Sequence, residues 1–164
     1  FCNGRLDVGF ARAFLPQEFR NFEVDIDESI ERFEEGIEQV GLLLEEEDVS
    51  HTGKFHSFQN VTTFPRPTQT PRSNFYVAAV GTPASFERAG TMGHWLMAIP
   101  GVGSDPVKLL ETYRSAWKKA GHANSPKIMM AVFMFCHDDG QEARRIAKPL
   151  IEGHFSEIAS TMHA

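Results

Sequence analysis

Four places in the sequence set polar or charged side chains at the ends of apolar runs. In Ala11-Arg12-Ala13-Phe14 an arginine stands between small residues. A guanidinium there can hold phosphate or carboxylate with two parallel hydrogen bonds. It could equally pair with a nearby carboxylate such as Asp7 or Glu18. In Val80-Gly81-Thr82-Pro83-Ala84-Ser85 a small-residue turn runs into a helix start. Unpaired N–H groups and the positive end of the helix dipole make such a turn an anion site, although most are ordinary capped helix starts. Ala98-Ile99-Pro100-Gly101 is apolar and could line a pocket for a flat aromatic ligand or be a plain loop. In Cys136-His137-Asp138-Asp139 the imidazole could act as a general base. The neighbouring aspartates favour a surface histidine beside a helix cap instead. His51 and His56 read as hairpin or solvent residues, and His94, beside Trp95, as structural. No Ser-His-Asp order or nucleophile elbow stands out, and no Cys or His cluster has zinc spacing.

These residues need elements to hold them. Arg5–Phe14 and Asn74–Val80 predict buried strands, as do His94–Pro100 and Lys127–Cys136. Gly9 allows a close approach within the first. Leu15–Glu28 reads as a loop. Ser29–Glu47 predicts a helix whose stripe is Ile30, Phe33, Ile37, Val40 and Leu44. Glu31, Glu34, Glu35 and Glu38 fall on the other face, which reads as solvated. Asp48–Pro71, rich in proline, predicts a hairpin excursion with strands at Lys54–Phe58 and Val61–Phe64. Thr82-Pro83 and Asp105-Pro106 are helix starts with a cap residue and a proline at the first turn. The second helix runs to Lys119 and ends at Gly121. Asp139 caps a last helix, Gln141 to about Ile158. Apolar strands alternating with helices predict a parallel sheet, with its working surface at the carboxyl ends of the strands. No GxGxxG follows a strand.

Composition narrows the function classes. The chain has 164 residues, 41% apolar and 23% charged, with a formal net charge of -6. That balance suits one globular domain and argues against nucleic acid as a partner. The longest apolar run, Ile128–Cys136, is far shorter than the roughly 20 residues that span a bilayer. Cys2 and Cys136 make no CxxC pair and predict a reduced, cytoplasmic protein. The chain opens on Phe1, with no leader-like segment, which predicts either a removed start or a piece of a longer protein.

Several stretches together resemble the luciferase-like, flavin-dependent monooxygenases. Asn3-Gly4-Arg5-Leu6-Asp7-Val8-Gly9-Phe10-Ala11-Arg12 is similar to that family's NGRxxxGxxRG segment. Glu18–Phe22, Asp27-Glu28-Ser29, Glu47–Phe55, Pro65–Gln69 and Tyr76–Ala79 continue in the family's order, and the likeness weakens after about Gly121. The resemblance implies an α/β fold: a single partial (β/α)8 barrel domain over residues 1–164, with four βα units like strands four to seven. Residues 48–71 would be the family's insertion. It further implies reduced FMN as cofactor, or a deazaflavin in one branch, with O2 and a small organic substrate. A flavin reductase and a homo-oligomer are the implied protein partners. Cofactor contacts would fall to Arg12, Ala13, Ala79, Gly81, Thr82 and Ser85, with Arg12 on the phosphate. Two departures stand out: Ala13 replaces the usual glycine, and Ile30 stands where bacterial luciferase has a second phosphate-contacting arginine. The catalytic base would lie outside this chain. The resemblance thus predicts a monooxygenase using reduced flavin and O2. Its alternatives are a deazaflavin-dependent hydride-transfer enzyme and a flavin-binding or inactive fragment. Phe14, Trp95, Met97 and Ile99 predict an apolar pocket.

Overall fold

A computed structural model describes residues 3–69, 75–99 and 105–162. Its contacts divide the chain into two compact units. The first joins Phe1–Arg12 to Ile30–Ala131, and the second joins Ala13–Ser29 to Val132–Ala164.

The first unit is built on a four-stranded sheet of β1 (Val8–Phe10), β4 (Phe75–Ala79), β5 (Trp95–Ala98) and β6 (Ile128–Met130), in that order. All three pairings are parallel: Phe10 lies opposite Val77, Val77 opposite Leu96, and Leu96 opposite Ile128. Each strand therefore neighbours the next one in the chain, as consecutive barrel strands do. β2 (Val49–Thr52) and β3 (Ser57–Val61) form a separate antiparallel hairpin. The helices of this unit are α2 (Ser29–Glu45), α3 (Pro83–Met92) and α4 (Pro106–Ala120).

The core lies between sheet and helices. Phe75, Val77, Ala79, Leu96 and Ala98 are buried with Ile37 of α2, Phe86 and Ala89 of α3, and Leu109, Tyr113 and Trp117 of α4. Phe33, Val40 and Leu44 of the α2 stripe pack against this cluster, while Ile30 at the helix start is exposed. α3 and α4 meet at Gly90, where a Cβ would come within 2.5 Å of the Tyr113 carbonyl oxygen. Tyr113 is fully buried and its hydroxyl donates to the His94 carbonyl at 3.1 Å. Burial pushes that hydroxyl's pKa well above the usual tyrosine range. Gly93 and Gly121 end their helices in the left-handed region, at φ 74° and 77°. Gly9 makes its predicted close approach, since a Cβ there would lie 2.9 Å from the Met97 methyl.

The second unit holds α1 (Pro16–Asn21) and α5 (Gly140–Met162). α1 corrects the loop expected at Leu15–Glu28. Pro16 opens it, and the Glu18 carboxylate accepts from the Phe14 and Leu15 amides at 3.3 and 3.0 Å. These local bonds make a helix too short to show as a periodic stripe. α5 starts where expected, because Asp139 Oδ1 accepts from the Gln141 and Glu142 amides at 2.7 and 3.1 Å.

Four strands also differ from expectation. β1 is three residues long, because only Val8–Phe10 face β4. The hairpin strands begin nearer the helix than Lys54–Phe58 and Val61–Phe64, since residues 53–56 form the turn. The buried strand expected at Lys127–Cys136 shrinks to Ile128–Met130, with Met129 and Met130 exposed. Its ladder stops when β5 does, and among the described residues no strand pairs its other edge. Val132–Phe135 continue exposed, Met134 at 84%, although Phe133 touches His154 and Phe155 of α5.

Candidate functional site

Because β1 and β4 run parallel, both chains leave the sheet at the same edge. The register carries Arg12 to the level of Ala79, two residues beyond the Phe10–Val77 pair. Arg12 is exposed there. Val80 and Gly81 continue from β4, and Thr82 begins α3. Arg12 and the Gly81–Ser85 turn therefore share one rim of the sheet, on neighbouring strands.

Thr82 is the N-cap residue, with extended backbone at φ -103° and ψ 131°, and Pro83 fills the first helical position. Its hydroxyl does not cap the helix. It lies 2.8 Å from the Ser85 hydroxyl. The Thr82 carbonyl accepts from the Ser85 and Phe86 amides at 3.1 and 3.5 Å. The start of α3 thus presents two paired hydroxyls and no carboxylate cap. A hydroxyl can turn its proton toward an incoming anion, whereas a carboxylate repels it. An arginine, two hydroxyls and an uncapped helix start make a donor set that fits a phosphate group.

The remaining predicted residues fall as follows. The Ala79 side chain is in the core, and its carbonyl accepts from the Ile99 amide at 3.4 Å. Ala13 is half-buried in the second unit. His137 is exposed, and its Nδ1 accepts from the Asp139 amide at 3.0 Å, which ties it to the start of α5. His94 is buried beside Phe75, and the His51 ring stacks on Phe58. Met97 and Ile99 are half-buried and Phe14 half-exposed. Trp95 is buried at the start of β5, edge-on to Tyr76, with Lys127 Nζ 4.0 Å from its ring centre. Pro100 and Gly101 lie outside the described residues.

Two features escaped the sequence reading. The acidic face of α2 is not simply solvated: Glu31 pairs with Lys54 at 2.7 Å, Glu34 with Arg88 at 3.0 Å, and Glu35 takes the hairpin turn. The second is the direction of the Thr82 hydroxyl, which was read as a helix cap and instead lies against the Ser85 hydroxyl at 2.8 Å. Among the described residues no group of three His, Cys, Asp or Glu side chains could hold a metal ion. None of their helices is long and apolar enough to cross a membrane.

Comparison with known proteins adds a family. The family model described as luciferase-like monooxygenase matches residues 1–163. The crystal structure of monooxygenase RslO1 from Streptomyces bottropensis superposes with a TM-score of 0.82 at 43% identity, covering 98% of this chain and 50% of that one. The oxygenating constituent of 3,6-diketocamphane monooxygenase from Pseudomonas putida, a type II Baeyer-Villiger enzyme in complex with FMN, superposes with a TM-score of 0.70 at 20% identity. That match covers 88% of this chain and 44% of the other. An F420-dependent secondary alcohol dehydrogenase superposes with a TM-score of 0.63 at 17% identity, over 77% of this chain and 39% of its own. The chain thus spans half or less of each of these structures. No curated protein matches the sequence.

Proposed function

This chain belongs to the luciferase-like monooxygenase family, and from that premise we propose that it forms part of a flavin-dependent monooxygenase. In this reading the rim shared by β1 and α3 receives the phosphate of reduced FMN. Arg12 supplies the charge-assisted contact. The Thr82 and Ser85 hydroxyls and the Ala84 amide complete the cradle, and the helix dipole adds its positive end. Gly81 keeps the turn before them free of side-chain bulk. When bound, the reduced flavin would supply the electrons needed beside O2 to oxidise a small organic substrate. A flavin reductase would restore it. The half-buried Met97 and Ile99 are offered as apolar lining.

One observation carries the reading: α3 starts without a carboxylate cap on the rim where Arg12 stands. The relative at 43% identity supports oxygenation over hydride transfer, since it is a monooxygenase. The test compares FMN with riboflavin, which lacks the phosphate. FMN should bind more tightly, and Arg12→Ala should remove about tenfold of that preference, or about 1.4 kcal/mol. Equal binding of both by the unaltered protein, or no response to Arg12→Ala, rejects the clamp.

A further inference from the structure

The Glu35 carboxylate, on α2, receives three consecutive backbone amides from the turn of the β2–β3 hairpin. Lys54 N donates to Oε2 at 2.9 Å, Phe55 N reaches both oxygens at 3.1 and 3.2 Å, and His56 N donates to Oε1 at 2.9 Å. The Gln39 amide donates to Oε1 at 2.9 Å and also to the His56 carbonyl at 3.2 Å. A Cβ at Gly53 would clash with the same carboxylate, so the turn fits Glu35 only with glycine there. Consecutive N–H groups converging on one anion form a concave nest, with the protein's own side chain as the guest.

The other holds at this tip are weaker. Lys54 pairs with Glu31 at 2.7 Å in an exposed position, and exposed pairs contribute little. The Arg32 guanidinium sits 4.3 Å from the Phe55 ring centre. The base of the hairpin is held separately. The Thr63 hydroxyl and the Arg66 guanidinium both donate to the Leu43 carbonyl, at 2.6 and 3.1 Å, and Val49 is buried.

We propose that β2–β3 is a strap, tethered at its base and latched at its tip by the single ionised carboxylate of Glu35, so that the tip opens as a unit when that charge is removed. Burial pushes the Glu35 carboxyl's pKa up, but the amides of His56, Phe55 and Lys54 and the Gln39 side chain outweigh this and hold it below the usual glutamate value. A carboxylate held low stabilises above its unfolded pKa, and that contribution is lost as pH falls through the folded value. The latch is therefore closed at neutral pH and opens in acid. The charged groups around it are Glu31, Arg32, Glu34 and Glu38 on α2, Lys54 and His56 on the hairpin, and Arg88 on α3.

Amide hydrogen exchange tests the strap in the chain itself. Glu35→Gln should speed exchange at Lys54, Phe55 and His56 by at least about tenfold, with Phe75–Ala79 of β4 unchanged. Lys54→Ala, which removes the Glu31 pair and the contact of Lys54 Nζ with the Phe55 ring at 4.9 Å but keeps the Lys54 amide, should change the turn amides by no more than about threefold. As pH drops below the ordinary glutamate range, exchange corrected for its intrinsic rate should rise at the turn in the unaltered protein and stay flat in Glu35→Gln. Unchanged turn amides in Glu35→Gln overturn the latch. So does equal loss of protection in β4, or failure of Glu35→Gln to fold, because the carboxylate would then support the whole unit.

Discussion

Helices α3 and α4 begin with the same short device, a polar residue followed by proline, yet only one of the two starts carries a carboxylate. At α4 the Asp105 carboxylate accepts from the Val107 amide at 3.0 Å, so the positive end of that helix already has its anion. At α3 the residue is Thr82, which leaves the helix amides alone and turns its hydroxyl to Ser85. The two helices pack on each other through Gly90 and end alike on left-handed glycines. What separates them is one carboxylate, which closes the start of α4 and is missing from the start of α3, where the phosphate is proposed to sit. Asp139 closes the start of α5 in the same way as Asp105 closes α4.

The largest effect should come from breaking what the two helices share. Gly90→Leu drives a side chain into the Tyr113 carbonyl and the Ala116 methyl, so overpacking should cost about 3 kcal/mol in denaturant unfolding. A change under about 0.5 kcal/mol would mean that α3 and α4 can move apart at no cost. Next comes making the two starts alike. Thr82→Asp puts a carboxylate where the phosphate is proposed to sit. It should weaken FMN by about tenfold or more while riboflavin is unaffected, read by flavin fluorescence titration. Undiminished FMN binding would detach the cofactor from α3. The reverse exchange, Asp105→Ala, should lose about 1 kcal/mol of stability in thermal or denaturant melts and leave flavin affinity as it was. An FMN effect there would move the site to α4. Ser85→Ala should have the smallest effect, a few-fold loss of FMN affinity with the melting temperature nearly unchanged.

Both helix starts were legible because a proline suits the first turn of a helix, and at α4 the Asp105 cap acts on an amide two residues away. The α2 stripe, Gly121 at the end of α4 and the alternation of apolar strands with helices came through for the same reason, since these signals are local. Glu35 was not legible. Its partners lie 19 to 21 positions along the chain, and on α2 it looks like any of its neighbouring glutamates. Lys127–Cys136 misled because apolar composition suggests burial, while burial needs a neighbour: β5 ends at Ala98, and the exposed residues beyond Met130 show it.

The sequence alone determined the helices α2, α3 and α4 and which residue types stand at the strand ends, because those depend on forces reaching a few residues. Only the tertiary structure decided that Arg12 and Thr82 share a rim, through the parallel register of β1 on β4. It also decided that the Thr82 hydroxyl goes to Ser85 and that a glutamate on the outer face of α2 holds the hairpin. Those outcomes depend on which distant groups are brought within hydrogen-bond reach, and chain folding alone sets that distance.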